Sequence, residues 1–218
     1  MPKIKIASIE GNIGSGKSTL RELLERSTTP IGNDPEYKIE YIDEPVSQWQ
    51  TVRDKNGINI IEKFYGNQYK YAFSFQMMAY ISRLAALKNA VEKNKNKNVF
   101  LVCERSMWTD RHVFAQMLYD EGKIEDINFQ IYLKWFDEFI KEYPLDAIIY
   151  VTTEPDLCSE RITKRNRKGE TIPLDYLQKC HNYHTKWIEE AKCPILNIES
   201  NFNVDIKYGI YKYLTNIW

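Results

Sequence analysis

The residues best placed to do chemistry are a lysine and a serine that directly follow three closely spaced glycines. Glycines let successive backbone N–H groups close around phosphate oxygens, and the N-terminus of a following helix adds partial positive charge. Lys17 can then reach the outer phosphates of a nucleotide while the hydroxyl of Ser18 ligates Mg²⁺. The segment therefore predicts a loop that binds a nucleoside triphosphate. It consists of Gly11, Asn12, Ile13, Gly14, Ser15, Gly16, Lys17, Ser18 and Thr19.

The sequence on either side of this segment distinguishes a phosphate loop from an ordinary glycine-rich turn. An alternating apolar run at residues 4–9 is typical of a strand, and residues 20–26 have a helical pattern. A turn between a strand and a helix is the context that a phosphate loop requires. The phosphate loop is therefore the favoured interpretation, and the glycine-rich turn stays as the alternative.

Two glutamates stand at the ends of strand-like segments. Glu44 follows the alternating segment 38–43 and precedes Pro45, which stops further strand pairing. Glu104 follows the unbroken apolar segment 99–103, which is typical of a parallel strand buried on both faces. Ligands of open parallel sheets bind beyond the carboxyl ends of the strands, so we expect both carboxylates beside the phosphate loop. Glu104 then faces the Mg²⁺ site, and Glu44 is either a catalytic base or a solvated strand-end residue.

A long helical pattern at residues 68–92 carries polar side chains on one face. Gln76 and Arg83 are seven residues apart, so they lie two turns apart on nearly the same face, with the small Ala79 between them. A small residue between two polar ones suggests the floor of a pocket. The apolar stripe of the same helix is assigned to the core. It comprises Phe73, Met77, Tyr80, Leu84, Leu87 and Val91.

Basic residues are concentrated around the end of a later helical segment, residues 156–165. One interpretation is a solvated, charged helix face. The other follows from the predicted triphosphate site, because a basic helix end with a glycine hinge suits a mobile lid that closes on phosphate. The pattern leaves both interpretations open. The basic residues are Arg161, Lys164, Arg165, Arg167 and Lys168, followed by Gly169.

Five strand-like segments alternate with helical segments along the chain, which indicates an α/β fold with a doubly wound parallel sheet. A turn-rich connection at residues 27–37 and a closing helix at residues 204–217 complete the pattern. A chain of 218 residues is long enough for one such domain and too short for two of usual size. We therefore expect a single domain over residues 1–218.

Charge and cysteine content indicate where the protein works. Thirty basic residues balance thirty acidic ones, so no overall field attracts nucleic acid or an anionic membrane. The four cysteines lack a C-x-x-C spacing and are interpreted as reduced thiols of a cytosolic protein. No apolar run approaches membrane-spanning length, and the first strand begins too early for a signal peptide before it. We expect a soluble cytoplasmic protein without nucleic-acid or membrane partners.

Taken in chain order, these residues resemble the deoxynucleoside kinase family, closest to its branch of deoxycytidine, deoxyguanosine and deoxyadenosine kinases. Besides the phosphate loop, the matching motifs are Glu44-Pro45-Val46 with Trp49, Phe75-Gln76, Glu104-Arg105-Ser106 with Asp110-Arg111, the lid arginines, and Ile172-Pro173-Leu174 leading to His181 and His184. The resemblance implies a P-loop kinase fold with a short arginine-rich lid at about residues 161–172. It also implies ATP as phosphate donor, Mg²⁺, a deoxynucleoside as acceptor, and a homodimer built on the helices at residues 68–92 and 125–142.

The resemblance further implies roles for single residues. Glu44 takes the proton of the deoxyribose 5′-hydroxyl, and Arg105 orients it and binds phosphate together with Lys17. Ser18 and Glu104 ligate Mg²⁺. Contacts to the nucleoside are implied for Glu44, Trp49, Tyr65, Phe75, Gln76, Ala79, Arg83, Arg105, Asp110, Phe114 and Glu170. Contacts to the donor nucleotide are implied for Arg161, Arg165, Arg167 and Phe202.

Some of these implied contacts are more specific. Gln76 pairs with the base edge, and Tyr65 binds the sugar 3′-hydroxyl. Glu170 shares that hydroxyl, in a lid that is one residue shorter than in the deoxycytidine kinase branch. Asn201 stands before Phe202, where the family usually has an acidic residue in the loop that covers the donor adenine.

The combination of Ala79, Arg83 and Asp110 resembles the set found in family members that accept deoxycytidine and purine deoxynucleosides, whereas thymidine-preferring relatives lack the arginine and the aspartate. Asp110 can accept a hydrogen bond from an exocyclic amine, and Arg83 can hold Asp110 in place while donating to a guanine carbonyl. The alternative is that Arg83 and Asp110 form only a structural ion pair.

Two other functions compete with a deoxynucleoside kinase that favours deoxycytidine, deoxyadenosine and deoxyguanosine over thymidine in nucleotide salvage. A thymidine-preferring or thymidylate-type kinase is one, and a thymidylate kinase would need extra cationic groups for the phosphate of its acceptor. A non-catalytic scaffold with the kinase fold is the other. It would be expected to lose Lys17, Glu44 or Arg105, and all three are present.

Overall fold

The computed structural model describes residues 2–26, 37–167, 170–202 and 205–218. Its strands are β1 (Ile4–Glu10), β2 (Lys38–Ile42), β3 (Val99–Glu104), β4 (Ala147–Thr152) and β5 (Ile195–Glu199). They form one all-parallel sheet in the order β2-β3-β1-β4-β5. The α/β fold with five parallel strands is therefore confirmed.

Helices flank the sheet and connect its strands. The first group is α1 (Lys17–Glu25), α2 (Val46–Thr51), α3 (Ile60–Gly66), α4 (Gln68–Asn94), α5 (Met107–Thr109), α6 (Gln116–Asp120) and α7 (Asp126–Phe139). The second group is α8 (Pro155–Arg165), α9 (Leu174–Glu190) and α10 (Ile206–Ile217). A π-helical turn, Asp110–Ala115, joins α5 to α6, and a 3₁₀ turn, Ile140–Glu142, follows α7. Within the described ranges, no helix has both the length and the apolar character needed to span a bilayer.

The core lies in two layers, one on each face of the sheet. Successive residues of a strand point to opposite faces, so Leu101 of β3 packs in the layer with α4 and α7 while Val102 packs in the layer with α1 and α10. All six residues of β3 are buried, as its unbroken apolar run predicts. The sheet is thus a rigid support for the segments that leave its strands.

The strand register brings three of these segments to one edge of the sheet. Ile9 of β1 pairs with Glu104 of β3, and Ile42 of β2 pairs with Cys103 of β3. The phosphate loop, Glu44 and the residue after Glu104 therefore follow neighbouring strands at the same height. This is the edge at which parallel sheets bind ligands.

Several element boundaries differ from the sequence-based expectation. Helix α1 begins at Lys17 and not at residue 20, because the backbone N–H of Leu20 already donates to the carbonyl of Gly16 at 2.9 Å. Helix α2 was not predicted, since six residues are too few to show a helical period. The connection at residues 27–36, Lys168 and Gly169 of the lid, and the predicted helix start at Val204 lie outside the described residues.

Candidate active site

Backbone geometry and space both favour glycine at Gly14 and Gly16 of the phosphate loop. Gly14 and Gly16 have φ values of +79° and +103°, in the region that favours glycine. A Cβ atom on Gly14 would lie 2.7 Å from the carbonyl oxygen of Cys158, and one on Gly16 would lie 3.2 Å from a ring carbon of Phe202. Any side chain at Gly14 would therefore push the loop away from α8.

Side chains around the loop fix its path. Asn12 donates through Nδ2 to the carbonyl of Leu177 in α9 at 2.9 Å, and its Oδ1 accepts from the N–H of Ile13 at 2.8 Å. The carbonyl of Ser15 accepts from Thr153 Oγ1 and from Arg161 Nη1, both at 3.0 Å. These bonds join the loop to the residue after β4, to α8 and to α9, so its backbone N–H groups are held in place before any phosphate binds.

Lys17 is buried at the base of the loop. Its Nζ donates to the carbonyl oxygens of Gly11 at 3.1 Å and Asn12 at 2.7 Å. Burial lowers the pKa of Lys17 to about 7, and the positive charge of Arg105 acts in the same direction. A bound phosphate group would add a negative charge beside this ammonium group and so favour its charged form.

Ser18 and Glu104 are in direct contact. The hydroxyl of Ser18 donates to Oε1 of Glu104 at 2.6 Å. A hydroxyl and a carboxylate are hard oxygen donors, and Mg²⁺ is usually bound by one or two such groups together with phosphate oxygens and water. Clusters of three or more His, Cys, Asp or Glu side chains able to hold a metal do not occur within the described ranges. The pair therefore fits a phosphate-bound Mg²⁺ and not a metal held by protein groups alone.

Arg83 connects three acidic positions. It donates from Nη2 to Oε1 of Glu44 at 2.6 Å, from Nε to Oδ2 of Asp110 at 2.9 Å, and from Nη1 to the carbonyl oxygen of Glu104 at 3.0 Å. Arg105 also approaches Glu44, with 3.4 Å between Nε and Oε1. The Arg83–Asp110 ion pair that the sequence suggested is thus present.

The two carboxylates of this network have opposite pKa shifts. Burial by itself would raise the pKa of Glu44, but the charges of Arg83, Arg105 and Lys17 outweigh it and lower the pKa to about 2. Burial raises the pKa of Asp110 to about 6, against the opposing charge of Arg83. Glu44 is therefore ionised at pH 7, whereas burial disfavours the charge of Asp110.

A cavity of about 650 Å³ extends from the phosphate loop to α2, α3 and α4. This volume is in the usual range for enzyme ligand sites. Most of the predicted site residues line it, namely Ile13, Gly14, Gly16, Lys17, Ser18, Thr19, Glu44, Trp49, Tyr65, Phe75, Gln76, Ala79, Arg83, Glu104, Arg105, Asp110, Phe114, Arg161, Arg165, Arg167, Glu170 and Phe202. The predicted Gly11, Asn12 and Ser15 are not part of its wall and lie buried in the phosphate loop.

The cavity wall contains both apolar and polar side chains. Trp49 and Phe75 form an edge-to-face pair with ring centres 5.4 Å apart, and Trp49 donates from Nε1 to Ser82 Oγ at 2.8 Å. Gln76 is 3% exposed, and its Oε1 has no hydrogen-bond donor among the described residues. Oδ1 of Asp110 is likewise buried without a donor there. These two buried acceptors are thus available for hydrogen bonds from donors of a ligand.

The three arginines of the predicted lid line the cavity. Arg165 Nη2 is 2.5 Å from Glu170 Oε2, and Arg167 Nη1 is 3.8 Å from Glu170 Oε1. Arg161 also donates to Ser200 Oγ at 3.2 Å. The structure therefore brings the three arginines to the cavity, whereas Lys164 is exposed and is not part of the cavity wall.

Sequence reasoning missed other residues near the site. Glu10, the last residue of β1, is fully buried, accepts a hydrogen bond from the Thr109 hydroxyl, and has its pKa raised by burial. The strand-end argument that singled out Glu44 would also have found Glu10. Apolar and aromatic wall residues give no such signal, because they follow the same spacing as core residues. The missed wall residues are Glu22, Val46, Ile61, Phe64, Tyr176 and Ser200.

Phosphate loops occur in many proteins that hydrolyse nucleotides, but here the loop shares its cavity with a second region lined by aromatic and amide side chains. A second region beside the triphosphate site is what a phosphotransferase needs for its acceptor. The protein is therefore a P-loop kinase.

Comparison with known proteins narrows this class. Residues 7–209 match the family model described as deoxynucleoside kinase. The chain belongs to the deoxynucleoside kinase family and is a phosphotransferase. It is 34% identical over 231 residues to a probable deoxycytidine kinase of Fowlpox virus (strain NVSL). The aligned region covers 98% of this chain and 90% of the viral protein.

Two human relatives differ in the nucleoside that their names give. The chain is 33% identical over 236 residues to the deoxycytidine kinase of Homo sapiens, with 94% of this chain and 87% of the human protein covered. It is 28% identical over 213 residues to the mitochondrial thymidine kinase 2 of Homo sapiens, with 93% and 73% covered. These similarities show the family of the chain, but they do not show which nucleoside it prefers.

Proposed function

We propose that the protein transfers the γ-phosphoryl group of ATP to the 5′-hydroxyl of deoxycytidine, deoxyadenosine and deoxyguanosine, in preference to thymidine, as a single domain over residues 1–218. The observation that carries this proposal is the carboxylate of Glu44, which lines the same cavity as Lys17 and is held there by Arg83. Phosphoryl transfer needs mainly positioning and charge stabilisation. A carboxylate beside a neutral hydroxyl supplies the proton acceptor.

Glu44 acts through its position and not through high basicity. Both Arg83 and Arg105 contact Oε1, so we assign Oε2 to the hydroxyl proton. A carboxylate with a pKa of about 2 is a weak base, but it accepts the proton only as the new P–O bond forms. Its two arginine partners keep it ionised and oriented at every physiological pH.

The base preference follows from the buried acceptors Gln76 Oε1 and Asp110 Oδ1. The exocyclic amines of cytosine, adenine and guanine can donate to such oxygens, whereas thymine presents a carbonyl in place of the amine of cytosine. An unpaired buried polar group costs about 1–3 kcal/mol, so thymidine is disfavoured. Trp49 and Phe114 form apolar walls, Phe75 stacks on the base, and Tyr65 with Glu170 binds the sugar 3′-hydroxyl.

The donor end of the cavity binds and neutralises the triphosphate. Ser18 and Glu104 would hold Mg²⁺, which would offset the negative charge of the phosphates. Lys17 and the backbone of the phosphate loop bind the outer phosphates. Arg161, Arg165 and Arg167 donate to the phosphate that is transferred as the lid closes. Phe202, which approaches Gly16, covers the base of the donor.

We also propose a homodimer built on α4 and α7. Four large apolar side chains of these helices are exposed, namely Ile81 (53%), Ile127 (71%), Ile131 (40%) and Trp135 (50%). Those of α7 are spaced four residues apart and so lie on one face. An apolar face of this kind is typical of an interface between subunits. The four free cysteines support a reducing, cytoplasmic location for an enzyme of nucleotide salvage.

A coupled assay of ATP consumption with the four deoxynucleosides and with thymidine monophosphate tests the proposal. We expect turnover with deoxycytidine, deoxyadenosine and deoxyguanosine, a lower kcat/KM for thymidine, and none with the monophosphate. The second candidate is a thymidine-preferring enzyme, which the similarity to mitochondrial thymidine kinase 2 favours. A higher kcat/KM for thymidine would select it, and phosphorylation of the monophosphate would select a thymidylate-type kinase. No turnover with any acceptor would indicate a scaffold.

A further inference from the structure

Arg105 is held in an unusual conformation beside Glu44. Its Nη1 donates to the carbonyl oxygen of Gly11 at 2.9 Å, and its guanidinium carbon lies 4.9 Å from the ring centre of Phe114. Its backbone φ is +64°, in the left-handed region that residues other than glycine rarely adopt. Such a conformation persists only when the surroundings impose it. The groups that surround Arg105 therefore impose this conformation.

One of these groups is His184 of α9, which is fully buried and lies outside the cavity wall. Its Nε2 is 3.3 Å from Nη1 of Arg105, and its Nδ1 is 2.7 Å from the carbonyl oxygen of Cys180, one helical turn earlier. A carbonyl oxygen only accepts hydrogen bonds, so Nδ1 carries the ring hydrogen. Nε2 of the neutral ring then has a lone pair directed at Arg105.

The neutral form of His184 is also the form that its surroundings favour. Burial lowers the pKa of His184 well below its usual value, and the positive charge of Arg105 lowers it further. The ring is enclosed by Phe114, edge-on at 6.1 Å, and by Tyr150, nearly parallel at 6.4 Å. A protonated ring would direct a second N–H at the guanidinium, whereas the neutral ring accepts from it.

We infer that His184 is a positioning residue, whose Nε2 accepts one hydrogen of Arg105 Nη1 and so orients the guanidinium towards Glu44 and the transferred phosphoryl group. The second hydrogen of Nη1 goes to Gly11, so Nε and Nη2 are left for Glu44 and for substrate oxygens. The inference rests on the proposed function, in which Arg105 orients Glu44, and on the phosphate contact that the family resemblance implies for Arg105. It assigns a function to a buried histidine that touches neither substrate.

Two substitutions of His184 separate this role from a merely structural one. Asn at this position can donate to Cys180 as Nδ1 does, but it does not reach Arg105. Gln can place its amide oxygen near the position of Nε2, but it loses the bond to Cys180. A structural role predicts that His184→Asn is the milder change, whereas the positioning role predicts that His184→Gln is.

The measurement is steady-state kinetics with the best deoxynucleoside, together with Tm. We expect His184→Asn to lower kcat by roughly ten- to a hundredfold with KM for the nucleoside within about twofold, because a hydrogen bond to a charged group is lost at the reaction centre and not at the nucleoside. His184→Gln should keep kcat within about threefold of wild type. His181→Asn, on the same helix and outside the cavity wall, is the control and should leave both constants unchanged.

Equal losses in the two variants, or a larger loss in His184→Gln, overturn the inference while leaving the proposed function intact. A wild-type protein without activity on any nucleoside overturns the proposed function instead. If both variants fail to fold, ¹⁵N NMR of histidine-labelled wild-type protein tests the positioning role of His184 instead. The His184 signals, identified by elimination with His112→Gln and His181→Gln, should show hydrogen on Nδ1 and an Nε2 resonance that moves in Arg105→Lys. Hydrogen on Nε2 would contradict the inference.

Discussion

Arg83 donates a hydrogen bond from Nη2 to Oε1 of Glu44 at 2.6 Å, so a residue of the cavity wall also holds the proposed base. The same guanidinium donates from Nε to Asp110 at 2.9 Å. Because a guanidinium group is planar and rigid, a displacement at one of these carboxylates changes the geometry at the other. The proposed recognition of the nucleobase and the proposed acceptance of the hydroxyl proton would therefore be coupled through one side chain.

Replacing Glu44 by Gln keeps its size and polarity but removes the proton acceptor. We expect kcat to fall by roughly two to four orders of magnitude, with the Kd for the nucleoside largely retained. Steady-state kinetics and calorimetric titration measure the two quantities. Glu40→Gln is the matched control, because Glu40 lies on β2 and bonds to Lys93 and Asn94 away from the cavity. Turnover of Glu44→Gln near that of wild type would contradict the role of a base.

The ionisation of Glu44 also predicts a pH dependence of stability. Its pKa is about 2 in the folded protein and 4.5 ordinarily, so its ion pairs stabilise the fold above pH 4.5 and are lost as the pH falls towards 2. The difference in free energy of unfolding between wild type and Glu44→Gln should therefore shrink as the pH falls from about 4.5 towards 2. Urea denaturation at a series of pH values measures this difference. A difference that does not vary with pH would show that Glu44 is not held by charge.

The lid arginines can be tested by replacing Arg165 and Arg167 together with Ala. Their side chains are about one-third exposed, so we expect Tm to change little while kcat falls strongly. Lys164→Ala is the control, since Lys164 is exposed on the same helix and is not part of the cavity wall. Equal kinetics in the double variant and the control would favour the solvated-face interpretation.

The base preference is tested by combining Arg83→Met with Asp110→Ala, which removes both members of the buried ion pair and leaves neither charge unpaired. We expect wild type to disfavour thymidine by roughly tenfold to a hundredfold in kcat/KM, and the double variant to raise thymidine use relative to deoxycytidine. The ratio is the readout, because loss of the Arg83–Glu44 bond lowers turnover for every nucleoside.

A wild-type preference for thymidine would be evidence against this account of the pocket. So would an unchanged ratio in the double variant, since Arg83 and Asp110 would then form a structural ion pair only.

The proposed dimer is tested by placing a charge on its apolar face. Light scattering should give the mass of two chains for wild type and of one chain for Trp135→Glu, because a buried charge without a partner opposes association. Tyr208→Glu is the control, since Tyr208 is 49% exposed on α10 and lies outside the proposed interface. A wild-type mass of one chain at the concentration of the assay would rule out the dimer.

The sequence alone was sufficient for the phosphate loop and for the parallel sheet. Both depend on local rules: glycines that allow an unusual backbone, a lysine and a serine next to them, and apolar segments such as 99–103 that can only be buried. The same reasoning placed Glu44 and Glu104 at one edge, because strand ends in a parallel sheet converge whatever the other residues are. Order along the chain also indicated the family.

The tertiary structure decided which side chains bind to which. Arg83 and Glu44 are 39 residues apart and meet across the site, as do Arg105 and His184, which are 79 residues apart. No periodicity reports such contacts, since a buried histidine or arginine follows the same helical spacing whether it packs or binds. The shifted pKa values of Glu44 and His184 have the same origin, because burial and the charges of distant residues arise only when the chain has folded.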